Sequence, residues 1–137
     1  MIPKTKGTKV LVAIACLVLA LTLMLPTVAS ASPNYFNEEP HRGSGTAKGF
    51  VYGPAGTTSD DTYVWMEVHA YLYERIGWSW YECASNVNGE NNKSYCFCSA
   101  RVLEVYNEFY TVGFHEWDID GSSYDAQWSP ASAHKWC

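Results

Sequence analysis

The sequence predicts an all-β chain, folded as one small antiparallel β-sandwich or barrel-like domain. Three observations carry that prediction. Residues 62–74 alternate between two kinds of side chain with a period of two. Further strand-like stretches, rich in Trp, Tyr and Val, follow at 78–87, 94–105 and 109–119. Gly, Asn and Asp turn residues separate them, and no helical period intervenes, so close-spaced strands must pair antiparallel and fold back on one another.

The first 31 residues stand apart from that domain. Lys4, Lys6 and Lys9 precede an uncharged apolar run at 10–25; Pro26 ends it, and Ala29 and Ala31 occupy the small-residue positions of a cleavage site. Residues 1–31 therefore read as a secretory leader, with the mature chain beginning at Ser32. An apolar run of about 16 residues is shorter than the roughly 20 that cross hydrocarbon, so no stable membrane insertion is expected once the leader is gone. Cys16 lies within that run and reads as part of it.

Residues 32–48 are polar and punctuated by Pro33, Pro40, Gly43 and Gly45, which marks a flexible N-terminal arm. Residues 49–137 form the single β domain. A short strand at 49–52 leads into a loop at 53–61, assigned from its Gly, Pro, Ser and Asp residues. The strand at 62–74 has Val64, Met66, Val68, Ala70 and Leu72 on one face, suited to a core. Its other face carries Tyr63, Trp65, Glu67, His69, Tyr71 and Tyr73, a mixture of rings, an acid and an imidazole that belongs at a half-wet surface.

Arg75-Ile76-Gly77 is a turn, and Asn88-Gly89 between the next two strands is a strong hairpin dipeptide. A fourth strand at 109–119 ends in Asp120-Gly121. The tail, with Tyr124, Trp128 and Trp136, adds one more short strand.

Four cysteines follow the leader: Cys83, Cys96, Cys98 and Cys137. In an exported domain an even number reads as two disulfides that staple the fold. Cys96 and Cys98 are poor partners for each other, because with one residue between them on an extended strand their Cα atoms sit near the upper limit of disulfide reach, which leaves two pairings. A hairpin about Asn88-Gly89 brings Cys83 opposite Cys96 and leaves Cys98 for Cys137, so that pairing is favoured.

The mature chain sets six basic residues against fourteen acids, a net charge of −8. Phosphate backbones and anionic lipid repel such a surface, so nucleic acid is not an expected partner. Six Trp and ten Tyr are the compositional anomaly. Aromatics stabilise small sheets through cross-strand pairs, and half-wet rows of them also stack on sugar rings or flat apolar ligands. The candidate binding residues are Tyr63, Trp65, His69, Tyr71 and Tyr73.

Other chemistry has weaker support. Asp118, Asp120 and Asp125 around a Gly turn offer oxygen ligands for calcium, without the full pattern of an EF-hand loop. Cys96, Cys98, His134 and Cys137 have the donor types of a zinc site, but export favours disulfides. Glu67 and His69 on one strand, with His115, Glu116 and Asp118 on another, suggest a small hydrolase using His69, Glu67 and His115 if the strands are neighbours. No elbow motif marks a nucleophile. Asn92-Lys93-Ser94 is an N-glycosylation acceptor at an expected hairpin tip.

In general style the chain resembles small secreted β-sandwich proteins of bacteria, with no motif that fixes a family. The expected function is a secreted, non-enzymatic module that binds an envelope glycan or a protein through its aromatic face. A secreted inhibitor, toxin or antimicrobial factor is the alternative within the same class, and the hydrolase the alternative from another.

Overall fold

The structure, a computed structural model, describes residues 32–122 and 124–137; the expected leader lies outside them. The described chain is nearly all β. Its strands are β1 (Asn34–Asn37), β2 (His41–Arg42), β3 (Phe50–Ile76), β4 (Ser79–Leu103), β5 (Glu108–Asp118), β6 (Tyr124–Trp128) and β7 (Lys135–Trp136). All seven belong to one antiparallel sheet, curled into a half-barrel.

The spine is the hairpin of β3 and β4, turned at Gly77, whose φ of 65° is a left-handed conformation that glycine adopts without steric cost. β4 lines one edge of β3 along nearly its whole length. The other edge is shared, β1 and β2 pairing with its first half and β5 with its second. β5 in turn carries β6 and β7.

A strand of 27 residues cannot stay flat within so small a domain, and the ladder shows where it yields. Pairing runs to Thr58↔Tyr95 and resumes at Tyr63↔Lys93, so Ser59, Asp60, Asp61 and Thr62 stand against Ser94 alone. Unequal length on the two sides bends a sheet sharply. The halves of β3 therefore face each other, and Thr57 on the first half meets His115 on β5 at 2.9 Å. β4 curls along with it. Asn92 takes a φ of 53°, while Asn86 and Asn88 donate side-chain hydrogen bonds to the carbonyls of Ser99 and Phe97, tying the strand's two limbs together.

Small side chains make this closure possible. Ala55, Ala70, Ala100, Cys96 and Cys98 are buried on the inner face among Val51, Met66, Val68, Leu72 and Phe109. A Cβ on Gly113 would come within 2.3 Å of His115 Nε2, so only glycine lets the imidazole lie over the strand there. Each large apolar side chain buried in this core contributes about 1.5–3 kcal/mol relative to exposure.

Several expectations need correction. Residues 53–61, expected as loop, belong to β3: Gly53 and Gly56 leave no room for a side chain and Ala55 is buried, so these small residues serve close packing of layers rather than a turn. Asn88 and Gly89 lie within β4, paired with Val68 and Glu67, because the long partner strand holds them extended. Part of the expected arm is paired edge: β1 and β2 satisfy backbone groups along β3, and Asn37 Nδ2 donates to the Thr111 carbonyl at 2.6 Å.

Cys83, Cys96, Cys98 and Cys137 are free thiols rather than disulfide staples. Without a turn at Asn88-Gly89 the Cys83–Cys96 register does not exist. Cys83 Sγ instead donates to the Leu72 carbonyl at 3.3 Å and Cys96 Sγ to the Asn88 carbonyl at 3.2 Å. Burial pushes both thiols up to about 11. The Cys98–Cys137 bond is likewise absent. The C-terminus is held by backbone: Cys137 and Asn107 exchange N–H···O bonds of 2.9 and 3.0 Å.

Candidate functional site

The outer face of the sheet's second half collects what the inner face excludes. Along β3, Trp65, Glu67, His69, Tyr71 and Tyr73 follow at every second residue and point the same way, as the pleat requires. β5 places Glu116 opposite Glu67, Phe114 opposite His69 and Tyr110 opposite Tyr73. β6 adds Trp128 beside Phe114 and Tyr124 beside Asp118.

These neighbours form a continuous band of rings. Trp65 stacks with Tyr124 at 6.4 Å between centroids, and Trp128 lies 4.7 Å from Phe114 and 5.6 Å from Tyr71. Tyr73 and Tyr110 stack nearly parallel, 5° apart at 4.9 Å. Trp80 then meets Tyr110 edge-on at 4.7 Å and the His134 ring at 4.6 Å. Tyr124 and Trp128 remain 61% and 56% exposed, so the band is covered by protein on one side only.

Three polar groups sit inside it. His69 Nε2 lies 2.8 Å from Glu67 Oε1 and 3.2 Å from Glu116 Oε2. The Tyr124 hydroxyl donates to Glu116 Oε1, and the carboxylate that accepts its hydrogen raises the phenol above its ordinary range. The His69 ring is flanked by Tyr71, nearly parallel at 6.3 Å, and by Phe114 at 5.8 Å. Two glutamates directly opposite one another on adjacent strands repel, and the imidazole wedged between them supplies the compensating donor.

Not every expected site residue reaches this surface. Trp65, His69, Tyr71 and Tyr73 do; Tyr63 is fully buried, and Val64, expected in the core, is 42% exposed. Both lie directly after the register break at residues 59–62, and their burial is the reverse of the alternation that holds from Trp65 onward. His115 does not join Glu67 and His69. It lies on the inner face of β5 against Thr57, so the proposed hydrolytic trio is not assembled. Glu116, its neighbour in sequence, occupies the outer position instead.

The other candidate metal ligands are engaged elsewhere. Asp118 Oδ1 accepts from the backbone N–H groups of Asp120 and Gly121, and Asp125 Oδ1 from that of Ala126. His134 packs on Trp80 and lies 3.5 Å from Glu108, while Cys96 and Cys98 face the core. Among the described residues, one group of three donors lies within metal-binding reach: Glu67, His69 and Glu116, all within 4.8 Å of one another.

Sequence reasoning left out Phe114, Tyr124 and Trp128. Their membership depends on which strands are neighbours, although the alternation of β5 does separate Glu116 from His115. No family model, no curated protein and no solved structure matches the chain.

Proposed function

We propose that this chain is an exported, non-enzymatic module that binds a glycan on the outer aromatic face of β3, β5 and β6. The observation that carries the reading is the composition of that face: a band of half-exposed rings surrounding two carboxylates and an imidazole. Sugars present apolar C–H faces that suit aromatic rings, and hydroxyls that need acceptors and donors between them. Binding sites in general combine a mostly apolar surface with a few placed polar groups. The rings are held by the sheet and by one another, so little conformational entropy is lost when a ligand settles on them.

Export is part of the proposal and rests on the leader-like first 31 residues. The test is a titration of residues 32–137 with envelope polysaccharides and soluble glycans, followed by tryptophan fluorescence. A saturable change that disappears in Trp65→Ala supports the reading. No change across the panel refutes it and transfers the face to a protein partner.

A further inference from the structure

We propose that Glu67, His69 and Glu116 form a site for a divalent transition-metal ion, of the zinc or manganese class, at the centre of the aromatic face. This goes beyond glycan binding and is testable with metal alone. Zinc binds imidazole nitrogen and carboxylate oxygen at about 2.0–2.2 Å, so neighbouring donors in a tetrahedral shell lie about 3.3 Å apart. His69 Nε2 lies 2.8 and 3.2 Å from the two carboxylates, and all three donor atoms lie within 4.8 Å of one another, which is within reach of a single ion that replaces the shared proton.

Glu67 and His69 are alternate residues of one strand, and Glu116 is the register partner of Glu67 on the next. All three ligands therefore project from paired backbone rather than from loops, which limits the reorganisation that binding must impose. Neighbouring groups fix their orientation: the Tyr124 hydroxyl holds one oxygen of Glu116, and Tyr71 and Phe114 flank the imidazole ring. Such supporting contacts commonly set metal affinity.

Two facing carboxylates, largely withdrawn from water with 28% and 15% of their side-chain surface exposed, carry a repulsion that the imidazole between them offsets through its hydrogen bonds. A dication offsets it directly. One nitrogen and two oxygens suit zinc or manganese better than calcium, which gathers six to eight oxygens. The solvent-facing side leaves coordination positions for water or for a ligand oxygen.

The experiment uses residues 32–137 stripped by chelator, titrated with Zn²⁺ calorimetrically and with Co²⁺ by absorption. One equivalent should bind saturably, and the cobalt spectrum should show d–d bands without a thiolate charge-transfer band. His69→Ala and the near-isosteric Glu116→Gln should each weaken binding at least tenfold while far-UV circular dichroism is unchanged. Absence of saturable binding, a thiolate band, or undiminished affinity in both variants would overturn the site. The glycan titration repeated in chelator reads the aromatic face independently of this result.

Discussion

His69 and His115 lie on paired strands, one register step apart, and face opposite sides of the same sheet. The outer imidazole stands between two carboxylates with rings on either side and solvent above. The inner one is fully buried, bonded through Nδ1 to Thr57, and its Nε2 has no hydrogen-bond partner among the described residues. Burial lowers its pKa to about 4. One residue type thus plays two parts. On the concave face histidine is a neutral spacer between layers brought close by glycine and alanine, and on the convex face it is a donor held ready among anions. Facing, rather than residue identity, separates scaffold from site in this sheet.

Acid stability separates the two imidazoles most strongly. The His115 pKa falls from 6.5 in the unfolded chain to about 4 in the folded one, so below pH 6.5 the unfolded state binds more protons. Stability therefore declines as pH falls through that window and levels off below about 4, a loss of roughly 3 kcal/mol from this group. Urea unfolding across pH 3.5–7 should show it. His115→Gln should remove most of that slope and His69→Gln should not; equal slopes in the two variants would break the comparison.

Truncation is next in size. His115→Ala empties a buried position and leaves the Thr57 hydroxyl without its partner, for an expected loss of about 2–3 kcal/mol in urea unfolding at pH 7. His69→Ala removes two hydrogen bonds at the partly exposed outer face and opens no buried cavity, so the change should stay near or below about 1 kcal/mol. A larger loss at His69 than at His115 would reverse the assignment of scaffold and site.

How far these roles were legible differs along the chain. The all-β class and the outer row Trp65, His69, Tyr71 and Tyr73 followed from period-two alternation, because that pattern is local and paired strands preserve it. Gly77 as a turn was equally local. The burial of Tyr63 and the exposure of Val64 were not, since both residues directly follow the stretch where four residues of β3 stand against one of β4, a mismatch visible only when both strands are paired. Asn88-Gly89 misled for the same reason: a good turn dipeptide is overridden when a long partner strand satisfies its backbone. The disulfide register built on that turn went with it. Glu116 reached the site, and His115 left it, through the pairing of β3 with β5, which no short window of sequence contains.

Gly113 measures how tightly the inner face closes. Its hypothetical Cβ would lie 2.3 Å from His115 Nε2, 2.9 Å from Cε1 and 3.0 Å from the Ala55 side chain. Thr57 anchors the imidazole, so the ring cannot simply swing away. Gly113→Ala should cost about 2 kcal/mol, within the usual range for overpacking, read as a shift in urea midpoint with an unchanged slope. Combining it with His115→Ala, which removes the obstacle, should cost less than the two losses added, because residues in contact couple. Additive losses would mean that the layers are not in contact at this point.

Trp128 provides the smallest effect on stability and the matching test on the outer face. It lies at the edge on β6, more than half exposed, and touches Phe114 and Tyr71 through its ring alone. Aromatic pairs of this kind contribute about 0.5–1.5 kcal/mol, part of which solvent replaces, so Trp128→Ala should change unfolding free energy by no more than about 1 kcal/mol. Its ring is also among the most accessible of the band, so under the glycan proposal a sugar face rests there. Loss of one stacking surface should weaken glycan affinity about tenfold, equivalent to about 1.4 kcal/mol. A variant that binds normally but unfolds easily would place Trp128 with the scaffold. The opposite result, weak binding on an intact fold, keeps the outer face as the site.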